Sequence, residues 1–300
     1  METLKSPPPP TEGAAETETP VQPLTEGPSA GTRLSADEIY ENVRVAAVEE
    51  LRRPAAALLW SAVAAGLTIG FSFFAGAYLT TLVAEPFKPA AAALGYPLGF
   101  IFVVLARSQL FTENTLEPII PLLHRPSRAM LRRLMSLWSI VLIGNLIGAV
   151  VFAWIAAKTP MVDAEFKREL LKLAEASTSG GFLLVGYRAI YAGWLIALMA
   201  WLIASTRATG AQVFLVWLTT APIAALGFRH SIAGSVEAFY RSWIGTAGWR
   251  EMAGDFVVPA ILGNIIGGVL FVALLNHGQV AADRAAGQSA GNDRGDDDKD

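Results

Sequence analysis

Two short polar runs interrupt otherwise apolar stretches and carry most of the groups able to do chemistry. The first is Arg107-Ser108-Gln109-Leu110-Phe111-Thr112-Glu113-Asn114, and the second is Gly227-Phe228-Arg229-His230-Ser231. Of the three histidines, His124 falls in a loop, His277 ends the last apolar run and His230 lies inside one. An imidazole titrates near neutral pH, so one at membrane depth can hold or relay a proton. Arg107 and Arg229 offer different chemistry. A cation at mid-membrane costs about 3 kcal/mol on insertion scales and needs a cavity or a partner there. Gln109 and Thr112 add neutral hydrogen-bonding groups. The plain alternatives are a histidine satisfied in a core and arginines in structural ion pairs or snorkelling to an interface. The plain reading fits Arg188. For His230, the neighbouring Arg229 and Ser231 and the glycine-flanked break favour a functional group.

The rest of the composition narrows the chemistry. There is no cysteine, so disulfides, thiol nucleophiles and Cys-ligated metal sites are excluded. No HExxH, P-loop or GxGxxG occurs, and the one G-x-S-x-G match, Gly287 to Gly291, sits in a polar tail without a strand-turn-helix context. One intramembrane histidine without a second ligand or nucleophile makes no recognisable enzyme site. The net charge of -3 is too small to suggest nucleic-acid binding. No cofactor, metal or catalytic residue is expected.

The elements that must position these residues are membrane spans. Of the 300 residues 53% are hydrophobic and 16% charged, with a mean hydropathy of +0.43. Residues 55–83, 134–157 and 256–276 contain no Lys, Arg, Asp or Glu, and each meets the length of about 20 apolar residues that a bilayer requires. Accepting two interrupted segments predicts six spans, at 55–83, 91–117, 134–157, 182–205, 210–240 and 255–276. The second contains Gly95, Pro97 and Gly99 before its polar run, and the fifth contains Pro222, Gly227 and Gly234. Irregular backbone is tolerated at that depth only where protein buries it or it lines a wet cavity.

Residues 1–34, rich in Pro, Thr, Glu, Gly and Ala, predict a disordered N-terminal tail. Residues 35–54 predict an amphipathic interfacial helix that opens on the capping-box spelling Ser35-Ala36-Asp37-Glu38 and ends at Pro54. It lies either on the membrane surface or on the protein's own cytoplasmic face. The channel domain covers 55–280, and residues 281–300 predict a disordered C-terminal tail. No cleavable signal peptide is visible, because the first apolar run begins only at Ala55. The Arg125, Arg128, Arg132 and Arg133 loop, with Arg44, Arg52 and Arg53, places both termini in the cytoplasm of a bacterial-type inner membrane.

A repeat organises the spans. Gly144-Asn145-Leu146-Ile147-Gly148 returns as Gly263-Asn264-Ile265-Ile266-Gly267, a shift from 144 to 263, or 119 residues. Leu110-Phe111-Thr112 aligns with Phe228-Arg229-His230 at a shift of 118. Three spans per half invert the second half relative to the first, and paired broken helices in inverted repeats mark a pathway at the midplane. The fold class expected is therefore all-α, with two inverted three-helix repeats whose second and fifth helices are broken. The GxxxG pairs Gly66/Gly70, Gly144/Gly148 and Gly263/Gly267 are assigned to close helix packing.

With these residues in view, the chain resembles the formate/nitrite transporter family. The stretches that carry the resemblance are Leu110-Phe111-Thr112, Gly144 to Gly148, Gly227-Phe228-Arg229-His230-Ser231-Ile232-Ala233 and Pro259 to Gly268, in matching order over residues 35–280. Ala57 to Ala62 and Ala106 to Thr115 further resemble one branch of that family. The resemblance implies a homopentamer of aquaporin-like protomers in the lipid bilayer, each with a pore for small monovalent anions such as formate and nitrite. It also implies that Thr112 is the loop threonine of the broken second helix and His230 its central partner. Tyr96 and Ile223 would then stand at the two apolar constrictions and Phe111 would line the loop. The chain departs from the family where Arg107-Ser108-Gln109 replaces a Gly-Ala-acid run and Arg229 replaces a glutamate. Gly234 and Gly193 stand where asparagines are common, and no vestibule lysine is identifiable. The function expected is a channel or proton-coupled transporter that passes weak-acid anions by protonation near His230. The rival expectations are a pore for neutral solutes or a different anion, and a non-conducting membrane scaffold.

Overall fold

The structure, a computed structural model, describes residues 33–296, with side chains described to residue 286. The tail expected over 1–34 therefore lies almost wholly outside the described residues. All regular elements described are helical: α1 (Ala36–Glu50), α2 (Ala55–Thr68), α3 (Gly70–Thr81), α4 (Lys88–Gly95), α5 (Pro97–Leu105), α6 (Ile119–His124), α7 (Arg128–Lys158), α8 (Ala164–Thr178), α9 (Gly181–Ile203), α10 (Thr209–Ala225), α11 (Ser231–Ile244), α12 (Trp249–Glu251), α13 (Val258–Gly268) and α14 (Leu275–Asp296). A 3-10 turn covers Glu113–Thr115, and wide turns at Met252–Val257 and Val269–Leu274 join α12, α13 and α14 into one rod.

Five described stretches are long and apolar enough to cross a membrane: Ala55–Thr81, Lys88–Leu105, Arg128–Lys158, Gly181–Ile203 and Trp249–Ala286. The apolar helix α10 is shorter. The second expected span, 91–117, is helical only to Leu105, and the fifth, 210–240, divides into α10 and α11. Pro222 lies within α10, and the second division comes past it, where Gly227 takes left-handed backbone before α11 begins.

The ends of the helices follow local chemistry. Ser35 Oγ accepts the Glu38 N–H at 3.2 Å while Glu38 Oε2 accepts the Ser35 N–H at 2.7 Å, closing the capping box. Below it α1 buries Tyr40, Val43 and Ala47 against the protein, packed on α6 and α14. Ser127 caps α7 and Asp163 caps α8 through side-chain oxygens.

The tightest packing joins α2 to α7 and α9 to α13. A Cβ on Gly66 would overlap Asn145 O, and one on Gly193 would overlap Asn264 O, so these helices meet backbone to backbone.

One helix falls between the expected spans, and one expectation needs correction. The loop after the third span contains α8, which buries Leu170 and Ala174 against α3 and α11 and sets Glu169 on Lys88. Its short apolar stripe among Lys and Glu lacked the length of a span. The tail expected from 281 is instead helix to Asp296. Helix-forming alanines extend the last span, and Arg284 holds this helix to Asp37 and Glu41 of α1.

Candidate functional site

Both interrupted helices end in the same turn. Ala106, Arg107 and Ser108 donate their N–H groups to Phe102, Val104 and Val103 carbonyls, and Leu226, Gly227 and Phe228 donate to Pro222, Ala224 and Ile223. Arg107 and Gly227 take left-handed backbone at φ 52° and 66°. Past the turns the chain is extended, and its freed backbone groups are met from a distant helix. Asn145 Oδ1 accepts the Phe111 N–H at 2.8 Å, while its Nδ2 donates to Gln109 O and Ala62 O, each at 2.8 Å. Asn264 repeats this, accepting Ser231 N–H at 2.8 Å and donating to Arg229 O at 3.0 Å and Ala189 O at 2.7 Å. The two breaks therefore correspond at a shift from 109 to 229, or 120 residues, which corrects the sequence register of 118. His230 occupies the place of Leu110, and Arg229 that of Gln109.

His230 is the cap residue of α11. Its Nδ1 accepts the Ala233 N–H at 3.1 Å, and its Nε2 lies 2.8 Å from Thr112 Oγ1. An acceptor Nδ1 places the ring's proton on Nε2, from which it donates to the threonine. The edge of Phe100 meets the ring at a centroid distance of 4.9 Å, and Tyr96 follows at 5.2 Å from Phe100. His230 is 2% exposed and Thr112 is fully buried.

A cavity of about 390 Å³ leads to His230. Lys88, Lys172, Glu85 and Glu169 stand on its wall, as do Tyr96, Arg188, Arg229 and Glu237. Glu169 is paired with both lysines, at 3.0 Å to Lys88 and 2.8 Å to Lys172, so one carboxylate is shared between two ammonium groups. The Lys172 hydrogen bond, with help from Lys88, holds the Glu169 carboxyl below its ordinary pKa. Apolar wall is supplied by Pro89, Leu173 and Phe256. Phe256 reaches Gly234, where any side chain would overlap the ring.

The sequence candidates divide around this cavity. Tyr96, Arg229 and His230 line it, and Thr112 stands behind His230. Gln109 is buried, with its side-chain oxygen accepting from Asn114 Nδ2 at 3.0 Å. Phe111 packs edge-on against Trp138 at 5.9 Å. Ile223, 1% exposed, sits in the apolar core and off the cavity wall. Arg107 is exposed at its turn. Sequence reasoning missed Arg188, Lys88 and Lys172, all on the wall. Arg188, expected in an ion pair or snorkelling, makes no ion pair among the described residues and lies over Gly227 with Nη1 3.9 Å from the Cβ position. Its place could be found only by setting α9 beside the break.

Comparison with known proteins places this arrangement among relatives. The sequence pattern of the formate/nitrite transporter family matches residues 37–278. The chain is 37% identical over 246 residues to the inner membrane protein YfdC of Escherichia coli K12, covering 82% of this chain and 79% of that one. It is 29% identical over 241 residues to a probable formate transporter of Methanothermobacter thermautotrophicus, covering 70% and 87%. The fold is similar to that of a pentameric formate channel solved with formate bound, with a TM-score of 0.62 and 22% identity, covering 74% of this chain and 95% of that one.

Proposed function

Because the chain belongs to the formate/nitrite transporter family, we propose that it is a membrane channel or proton-coupled transporter for small monovalent weak-acid anions. It works as a homopentamer in the inner membrane, with both termini in the cytoplasm and one pathway per protomer. The formate channel of like fold supports the pentamer. In this reading α10 and α11 together make a span, giving six, and the two halves are inverted repeats related by the matched asparagine clamps.

The observation that carries the proposal is His230, bonded to Thr112 at the inner end of a cavity whose wall bears four cations. Cations concentrate an anion in the cavity by their field. Phe100 and the core around the floor are apolar, and an isolated charge there costs far more than a hydrogen-bonded neutral acid. The anion therefore takes up a proton at the floor. The proton comes from water in the cavity: Nε2–H of His230 donates to Thr112 Oγ1 and the ring stays neutral, so that the pair fixes the polar floor at which the anion is protonated.

The test is stopped-flow uptake of formate, nitrite, acetate and lactate into proteoliposomes at several external pH values, with His230→Ala alongside. Saturable uptake that rises as pH falls and disappears in the variant is expected. Unchanged flux and pH dependence in folded His230→Ala would refute the mechanism, and pH-independent passage of glycerol would favour a neutral-solute pore.

A further inference from the structure

We propose that Arg229 and Arg188 form a binding site for a monovalent carboxylate or similar planar oxyanion, held in its charged form just outside the His230–Thr112 pair. The inference rests on the cavity being the anion's path, and it adds a specific resting place on that path.

Arg229 is 5% exposed, yet its guanidinium makes a single hydrogen bond, from Nη2 to Ala176 O at 3.0 Å. Its buried Nε has no partner. A guanidinium carries five N–H donors in a planar fork suited to carboxylate, so most of this one's capacity is unspent. No carboxylate is ion-paired with it among the described residues. Its backbone N–H contacts Arg188 O at 3.4 Å, and the Arg188 guanidinium lies over Gly227, two positions before it. Two like charges on the wall of a half-open cavity repel and each loses hydration. An anion between them reverses both costs.

The mouth is a poorer site, because Glu169 and Glu85 there balance the charges of Lys88 and Lys172. The other acid near the arginines is Glu237, which lines the same cavity. Two guanidiniums and one carboxylate leave a formal charge of +1, which one monoanion neutralises and a dianion overshoots. The cavity, about 390 Å³, exceeds the roughly 30 Å³ share of one water many times over. Leu173, Pro89 and Phe256 can accept a short apolar substituent on the carboxylate.

Isothermal titration of sodium formate and sodium acetate into the full chain in lipid nanodiscs, in carboxylate-free buffer, tests the site. Saturable binding is expected, weakened about tenfold or more by Arg188→Gln and by Arg229→Gln. The exposed Lys158→Gln, off the cavity at the same end, should leave the Kd within about twofold, as expected of rim charges. If buried Arg229→Gln fails to fold, half-buried Arg188→Gln and Arg229→Lys decide the matter, each expected to weaken binding. Absence of binding to the wild type, or an unchanged Kd in the folded arginine variants, overturns the site. Succinate binding as tightly as acetate overturns its assignment to a monoanion. Uptake of formate that survives with no effect of either arginine on binding sinks this site and leaves the transport reading standing. Arginine-dependent binding without any flux does the reverse.

Discussion

Replacing Asn264 by Ala tests whether the broken fifth helix is held by one side chain. The substitution removes three hydrogen bonds, to Ser231 N–H, Arg229 O and Ala189 O. Ala189 O retains its place in the α9 ladder, whereas the other two groups belong to the break and have no helical partner. Two unsatisfied buried groups cost about 2–6 kcal/mol at 1–3 each. Interhelical hydrogen bonds in membranes average about 0.6 kcal/mol, which for three bonds gives about 2 kcal/mol. We expect a loss of about 2–4 kcal/mol, from the membrane average up to the middle of the buried-group range. Asn145→Ala removes the equivalent bonds to Phe111, Gln109 and Ala62 and should match it within about 1 kcal/mol. Unfolding of purified protein in mixed micelles by titrated dodecyl sulfate reads both values. A loss below about 0.5 kcal/mol in either variant, within the range of ordinary surface substitutions, would show that the clamps are incidental. Uptake should fall further than the unfolded fraction explains in Asn264→Ala, because Arg229 and Ser231 flank His230.

Arg107 adopts left-handed backbone where the second half has Gly227. Arg107→Gly should therefore raise stability by about 0.5–1 kcal/mol after the glycine's entropy cost, and Gly227→Ala should lower it by about 1 kcal/mol, both measurable in the same titration; opposite signs would rule out strain at these turns. Glu169 titrates below the ordinary carboxylate value through its bonds to Lys172 and Lys88. A depressed folded pKa contributes stability that is full above the unfolded value of about 4.3 and is lost as pH falls through the folded one. The thermal midpoint should fall in that window for the wild type and stay flatter in Glu169→Gln, and parallel curves would contradict the pairing.

Legibility in the sequence followed the physics of each feature. The uninterrupted apolar runs and the Gly-Asn-x-x-Gly motifs were visible because length and small-residue spacing are local properties. The pairing of Thr112 with His230 spans 118 residues and was reached through family resemblance. The register of the two breaks was off by two because side-chain identity differs at equivalent places, His230 against Leu110, while the shared feature is the hydrogen bonding of the backbone. Arg188 looked structural because its neighbours along α9 are apolar. Only the docking of α9 beside Gly227 brings it to the cavity. Lys88 and Lys172 sit in segments far apart in the chain that meet through Glu169. The tail helix escaped notice because its polar composition hid a run of alanines continuing a span.

The asparagine clamps also constrain how the protein is made. The broken second helix leaves Phe111 N–H and Gln109 O without partners until Asn145, 34 and 36 residues later, arrives beside them. The second break waits in the same way for Asn264, 33 residues after Ser231 and 35 after Arg229. Open backbone groups cannot face hydrocarbon. A chain threading into the bilayer from its N-terminus thus cannot release each broken segment to lipid as it emerges. The segment must linger at the insertion machinery or in water until the helix that follows it enters. Synthesis then advances in two instalments, each closed by its own asparagine.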